Sequence, residues 1–147
     1  MSDHYEVKQL AHNVGPFEIK VGYFYEDIHP EDLFDNSPNP DNKGEPYYDT
    51  DEMAKRIDGG LDAWFGFWAK VYYKGHEMGY HNLGGLYYEN DDAESVIEKE
   101  AKSNDHCWYQ DVIDEALDQA KRETGDMWKQ MELDFGVDKS EISATLN

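Results

Sequence analysis

The chain has 147 residues, of which 33 are acidic and 13 are basic, and its formal net charge at pH 7 is −20. Because 39% of the residues are hydrophobic and 14% are aromatic, the composition excludes a disordered acidic segment and predicts a single folded domain over residues 1–147. A body with this charge repels nucleic acid and anionic membranes and attracts basic proteins, so we expect a basic protein as its partner.

The cysteine content and the absence of a targeting signal both indicate the cytoplasm. Cys107 is the only cysteine, which rules out an internal disulfide and favours a buried structural thiol. The N-terminal residues are acidic where a secretory signal is basic, and the longest apolar run, AWFGFWA, has seven residues. A membrane span needs about 20. We therefore expect a cytoplasmic protein.

The first predicted element is a β-strand over residues 17–25, where Phe17, Ile19 and Val21 alternate with other residues. A long, acidic, irregular loop follows, because residues 26–52 contain four of the five prolines. A short helix from about 50 to 58 then ends at a pair of glycines.

The most apolar part of the chain, residues 64–90, predicts a β-hairpin. Lys74-Gly75 forms its turn, and Gly84-Gly85 marks a bulge or a third short strand. In the first strand one face carries alternating apolar residues: Phe65, Phe67, Ala69, Val71 and Tyr73.

Two helices are predicted after the hairpin, at residues 91–102 and 109–123, each with apolar residues on one face. Glu123 falls on the apolar stripe of the second helix, so this helix is expected to end, bend or reach the margin of the core near Gly125. Residues 126–135 can resume it, and residues 136–147 are predicted to form a loose C-terminal tail.

These elements predict an α+β fold. We expect a small antiparallel β-sheet with two or three C-terminal helices packed on one face and the long acidic loop after the first strand. A monomer and a homodimer, the latter formed through an edge of the aromatic hairpin, both stay open.

The motifs that would indicate catalysis or metal binding are incomplete. HEMGYH has the spacing H-E-x-x-x-H within a predicted hairpin, so His76 and His81 are not one helical turn apart as zinc ligands of a metalloprotease are. The loop from Asp35 has Pro40 where a calcium-binding EF-hand needs glycine. There is no serine elbow, P-loop or Cys-x-x-Cys. We therefore expect no metal, no cofactor and no enzymatic activity.

The acidic residues are unevenly distributed. Residues 26–62 contain twelve carboxylates and three basic residues, and residues 89–123 contain twelve and four, whereas residues 63–88 contribute only Glu77. On the 109–123 helix, four carboxylates fall opposite the apolar stripe over roughly 10 Å of helix axis. On average there is about one negative charge per 3.5 Å of axis, close to the phosphate spacing along one DNA strand. These residues are Asp111, Asp114, Glu115 and Asp118.

An acidic surface of this kind is also compatible with ordinary solvation, with a high-salt environment and with a basic partner of another kind. A solvated helix face is usually charged, and a halophile-type housekeeping domain would be acidic and poor in lysine. The 21 Phe, Tyr and Trp residues argue against a halophile, since such proteins have fewer large apolar side chains. An acidic module that binds some other basic protein stays open as an alternative.

In overall character the chain resembles the DNA-mimic anti-restriction and anti-CRISPR proteins of phages and mobile elements. The resemblance is one of composition: a small, cysteine-poor, strongly acidic chain with interspersed aromatic residues. It implies an inhibitor that occupies the positively charged nucleic-acid channel of a host defence nuclease in the host cytoplasm, with carboxylates in place of phosphates. The expected partner-binding residues are the four carboxylates of the 109–123 helix and a second group at the head of the acidic loop: Glu26, Asp27, Glu31, Asp32 and Asp35.

Overall fold

The computed structural model describes residues 3–34, 37, 48–103 and 108–135. Within these ranges the chain forms a five-stranded antiparallel sheet and three α-helices, which confirms the predicted α+β class. The predicted C-terminal tail, Asp35 and Cys107 lie outside the described residues. The strands are β1 (Tyr5–Glu6), β2 (His12–Val14), β3 (Phe17–Tyr25), β4 (Ala63–Tyr73) and β5 (His76–Tyr88), and the helices are α1 (Thr50–Asp58), α2 (Ala93–Ala101) and α3 (Trp108–Phe135).

The hairpin of β4 and β5 forms as predicted. Lys74 and Gly75 have φ angles of 49° and 83°, and two positive φ angles in a two-residue turn match the twist of the strands that it joins. The pairing shifts register between Phe65 and Phe67, opposite Gly84-Gly85, and Gly85 has a φ of 71°. The structure therefore has a bulge at Gly84-Gly85 and not a third short strand.

The N-terminal residues add two short strands that the sequence analysis did not predict. Both β1 and β2 pair with the outer edge of β3, so the strand order is β1-β3-β4-β5 with β2 beside β3. Between them Val7 is fully buried and its N–H donates a hydrogen bond to the carbonyl of Val21 at 2.9 Å. The edge of β3 is thereby covered by the start of the chain.

The main core lies between the sheet and helices α2 and α3. Phe65, Phe67 and Val71 of β4 are fully buried and face α3, where Trp108 and Tyr109 contact Phe67 at ring-centroid distances of 5.1 and 5.2 Å. The apolar stripe of α3 packs on β4 and β5 as predicted. The helical layer therefore covers one face of the two central strands.

Residues 126–135 belong to the continuous helix α3, so within the described residues α2 and α3 are the two C-terminal helices on that face, and α1 lies elsewhere. Trp64 precedes Phe65 and points to the other face of the sheet, because side chains alternate along a strand. The Trp64 indole donates a hydrogen bond to the carbonyl of Ile28 at 2.8 Å, and Ala54 and Ile57 of α1 lie beside it. Residues 26–34 and α1 thus cover the part of the second face around Trp64.

Helix α3 is continuous through Gly125 to Phe135, so it does not end near Gly125, which was one of the predicted alternatives. Glu123 is exposed and Thr124 is buried instead. Buried positions that repeat every three or four residues shift gradually around a straight helix, because the helix has 3.6 residues per turn. The buried side of α3 therefore passes from Ala120 to Thr124. Trp128 continues it by packing edge-on against Tyr73 at 6.2 Å.

Replacing large side chains on the core face of β4 tests the central packing. Phe67→Ala or Val71→Ala should each lower the free energy of unfolding by about 2 to 5 kcal/mol, because each removes fully buried apolar atoms and leaves a cavity. Leu133→Ala is the control, since Leu133 is 81% exposed and should change stability by less than about 0.5 kcal/mol. Chemical denaturation measures all three, and an unchanged midpoint for Phe67→Ala would contradict this core.

Two glycines should respond to the same substitution in opposite directions. A Cβ on Gly79 would lie 2.1 Å from the backbone oxygen of Ala116, whereas a Cβ on Gly125 meets no atom within 4 Å. Gly79→Ala should therefore push α3 off β5 and destabilise by about 3 kcal/mol. Gly125→Ala should stabilise by about 0.5 to 1 kcal/mol, because alanine loses less backbone entropy in a helix. Thermal unfolding of the two variants compares them, and a loss of stability in both would show that Gly125 has a packing role.

Candidate functional site

Four carboxylates of α3 form one exposed surface, which we name the α3 acidic face: Asp111, Asp114, Glu115 and Asp118. All four are exposed, while Val112, Ile113, Ala116 and Leu117 between them are buried against the sheet. The wheel position predicted from the sequence is therefore confirmed. The four side chains span roughly 10 Å along the helix axis at 1.5 Å per residue.

The α3 acidic face carries uncompensated charge. Among the described residues none of its four carboxylates makes an ion pair, and Gln110, a neutral side chain, donates to Asp114 at 2.8 Å. The face ends at Lys121 and Arg122, beyond which the exposed side of α3 mixes both charges. Like charges at helical spacing repel by a few tenths of a kcal/mol per pair, and of the four carboxylates only Asp111, in the first turn of α3, is placed to gain from the helix dipole.

Acidic residues on the neighbouring helix α2 are used differently. Asp92 caps the helix by accepting from the backbone N–H of Ser95 at 2.9 Å, and Asp91 pairs with Lys99 at 2.7 Å. The side-chain amide of Gln9 donates to both Glu94, at 3.0 Å, and Glu98. The charge on α2 thus has structural partners within the chain.

The second predicted group, at the head of the acidic loop, contains one carboxylate with a structural role and three that are exposed. Glu26 is half-buried and accepts hydrogen bonds from the backbone N–H of Gly85 at 2.9 Å and of Ile28 at 3.4 Å. Its carboxylate therefore ties the loop to the bulge in β5. Asp27, Glu31 and Asp32 are exposed.

The sheet separates the two predicted groups. Trp64 contacts the loop after β3, whereas its neighbour Phe65 contacts Trp108 at the start of α3 with ring centroids 6.4 Å apart. Because these two residues point to opposite faces of the sheet, the described members of the loop group and the α3 acidic face lie on opposite sides of the sheet. Among the described residues, these two groups do not form one continuous track of charge.

The structure also contains a buried ionic network that the sequence analysis missed. The Asp62 side chain is 0% exposed and receives a two-pronged contact from Arg56, with Nε at 2.7 Å and Nη2 at 3.0 Å from its two oxygens. The backbone N–H of Asn90 donates to the same carboxylate at 2.9 Å, and the Tyr87 hydroxyl donates to it as well. Arg56 also donates to the side-chain oxygen of Asn90 at 2.8 Å.

This network fixes the protonation states of its members. Hydrogen bonds from Arg56 lower the pKa of Asp62 to about 2, against the opposing effect of burial, and the same contact raises the pKa of Arg56. Burial and the contact with Asp62 raise the pKa of Tyr87 to about 12. The network therefore joins α1 to the end of β5 as a charged pair with a neutral phenol.

The sequence carries one weak indication of this network. Asp62 is an acidic residue placed directly before the most apolar run of the chain, and buried carboxylates are rare unless they are paired. Nothing in the spacing of Arg56, Tyr87 and Asn90 identifies them as its partners, since they are brought together by the sheet and by α1.

The two histidines of the HEMGYH segment are both exposed on β5, opposite Tyr73 and Ala69 of β4. Within the described ranges no three His, Cys, Asp or Glu side chains are grouped as a metal site.

No protein-family model, curated protein or solved structure matches this chain. In the part of the chain that the structure describes, no helix is long and apolar enough to cross a lipid bilayer.

Removing the Asp62 charge tests the buried network. Asp62→Asn should lower the free energy of unfolding by about 3 kcal/mol, at the low end for a broken buried pair because the Arg56 side chain is 29% exposed. Asp91→Asn, which breaks the pair with the largely exposed Lys99, is the control and should cost only a small fraction of that. Urea unfolding at neutral pH compares the two variants.

The pH dependence of the same comparison follows from the lowered pKa of Asp62. Its charge contributes stability in full above its ordinary value of 3.8, and that contribution is lost as the pH falls through about 2. The difference in the free energy of unfolding between the parent and Asp62→Asn should therefore narrow between pH 4 and pH 2. A gap that stays constant over this window would show that Asp62 does not titrate as the network requires.

Proposed function

We propose that this protein is a DNA-mimic inhibitor that binds the positively charged nucleic-acid channel of a host defence nuclease, a restriction enzyme or a CRISPR effector, in the host cytoplasm. The observation that supports it best is the α3 acidic face, four exposed carboxylates without an ion pair among the described residues. A helix surface that repels itself is retained most simply if a cationic surface covers it.

The spacing of the charges suits this role. One carboxylate per about 3.5 Å of axis is close to the 3.4 Å charge spacing of a single DNA strand. Lysine and arginine side chains that hold successive phosphates would find carboxylates at a similar average density along the axis. The net charge of −20 steers the protein towards a basic channel over distances at which individual contacts do not act.

A second candidate function is supported by the separation of the two acidic groups. The exposed carboxylates Asp27, Glu31 and Asp32 lie across the sheet from the α3 acidic face, so no single track of charge runs along both. A partner that needs only a short acidic patch, such as a basic protein without a nucleic-acid channel, fits this arrangement as well. The two functions differ in whether DNA competes for the partner.

Neutralising the α3 acidic face tests the proposed function. The quadruple variant should lose capture of a basic protein from a bacterial lysate, with affinity reduced by orders of magnitude, because each charge contributes to attraction and to its salt dependence. Captured prey should be released by high salt and by a double-stranded oligonucleotide. The substitutions are Asp111→Asn, Asp114→Asn, Glu115→Gln and Asp118→Asn.

A matched variant removes four charges from exposed positions outside the α3 acidic face and should keep binding. If both quadruple variants bind equally well, the face is only a solvated helix surface. Prey that high salt releases but DNA does not would favour the second candidate function. The matched substitutions are Asp3→Asn, Glu6→Gln, Asp51→Asn and Asp58→Asn.

A further inference from the structure

A pocket of about 320 Å³ lies on the sheet face opposite α2 and α3, between α1, the end of β5 and residues of the loop that joins β3 to α1. Its size falls at the lower end of ligand-binding pockets. The pocket is distinct from the α3 acidic face, which lies across the sheet. Its lining consists of Phe34, Tyr48, Asp49, Glu52, Met53, Arg56, Tyr87 and Glu89.

The apolar part of the lining is aromatic. Phe34 contacts Tyr48 and Tyr87, with ring centroids 5.0 and 6.4 Å apart, and it also contacts Trp64 at 5.7 Å. Tyr48 is 49% exposed, while Met53 is buried beneath the pocket. The faces of aromatic rings attract cations.

The charged part of the lining has an excess of negative charge. Arg56 is the one cation among the lining residues, and its guanidinium is matched by Asp62 behind the wall of the pocket. Asp49, Glu52 and Glu89 supply three carboxylates, of which Asp49 also caps α1 by accepting from the backbone N–H of Glu52 at 3.1 Å. Glu52 and Glu89 are exposed and make no ion pair with a described residue.

The Arg56–Asp62 network makes the wall rigid. Tyr87 is held through its hydroxyl, which donates to Asp62, and Arg56 is held by both Asp62 and Asn90. A preformed wall lowers the entropy that is lost when a ligand binds. The excess of carboxylates disfavours an anion, and the aromatic rings disfavour a small hydrated ion.

We propose that this pocket binds the guanidinium group of an arginine side chain from the basic partner. A guanidinium is planar, weakly hydrated and always charged, so it stacks on an aromatic ring while its N–H groups bond carboxylates at the rim. A lysine ammonium is more strongly hydrated and lacks the planar face. This proposal rests on the proposed function for the identity of the partner. Because the pocket and the α3 acidic face lie on opposite faces of the sheet, one partner contacts both only if it encloses the protein, as a nucleic-acid channel does.

The test uses two small probes of the same shape, N-acetyl-arginine amide and its neutral citrulline counterpart. In NMR titrations of the full chain, the arginine probe should shift the signals of Tyr48, Met53 and Tyr87 in a saturable way. Its affinity should exceed that of the citrulline probe by about tenfold or more, because only the former gains cation–π and ionic contacts. Equal affinities, or shifts confined to the α3 acidic face, would overturn the proposal.

Variants locate the site. Glu52→Gln with Glu89→Gln should weaken arginine binding by about tenfold, whereas Asp51→Asn with Asp58→Asn removes the same charge from exposed positions of α1 and should leave it unchanged. If the two double variants weaken binding equally, general charge attraction is responsible and the pocket is not a guanidinium site. Tyr48→Ala should also weaken binding, and its exposed position makes folding of that variant secure.

The outcomes for the pocket and for the proposed function can be told apart. Saturable arginine binding that persists in the variant with a neutralised α3 acidic face supports the pocket on its own evidence. If that holds but no basic protein is captured from a lysate, the proposed function fails and the pocket stands. If a basic protein is captured through α3 while Glu52→Gln with Glu89→Gln changes neither capture nor arginine binding, the pocket proposal fails alone.

Discussion

Burial of strand β4 on both faces is the constraint on which the rest of the structure depends. Phe65 and Phe67 are covered by α3, and Trp64 and Trp68 on the opposite face are 5% and 3% exposed. A buried indole N–H needs an acceptor, and these two find the carbonyls of Ile28 and Tyr23. The chain after β3 must therefore cross the second face of the sheet, and this crossing brings α1 against it.

The buried pair of Arg56 and Asp62 follows from that arrangement. Once α1 lies on the Trp64 side, Asp62 enters β4 from a buried position and needs a partner for its charge. Arg56, one turn before the glycines that end α1, supplies it by contacting both carboxylate oxygens, and Asn90 and Tyr87 each donate a further hydrogen bond to one of them. A polar network with every member bonded holds a unique geometry. Arg56 and Tyr87 of this network also line the aromatic pocket beside it.

Periodicity in the sequence was sufficient for the elements with a regular buried face. The bounds of β3 and α1, the turn at Lys74-Gly75 and the exposed position of the α3 acidic face all follow from local pattern. It failed for β1 and β2, which have two and three exposed residues and exist only because β3 offers an edge. Glu26 and Asp62 look like other acidic residues in the sequence, since their roles depend on partners distant along the chain.

The position of a carboxylate tells more about whether its role is structural than the number of carboxylates does. The acids of α2 and the loop include a helix cap, a lysine pair and a tie to the β5 bulge, each with a partner that accounts for it. In the α3 acidic face Asp114 accepts from the neutral side chain of Gln110 at 2.8 Å, but none of the four carboxylates makes an ion pair with a described residue, although Lys121 and Arg122 lie only one turn further on. Moving one basic residue into those two turns would relieve the repulsion at no cost in packing. A surface kept acidic against that simple remedy is the observation on which the proposed function rests.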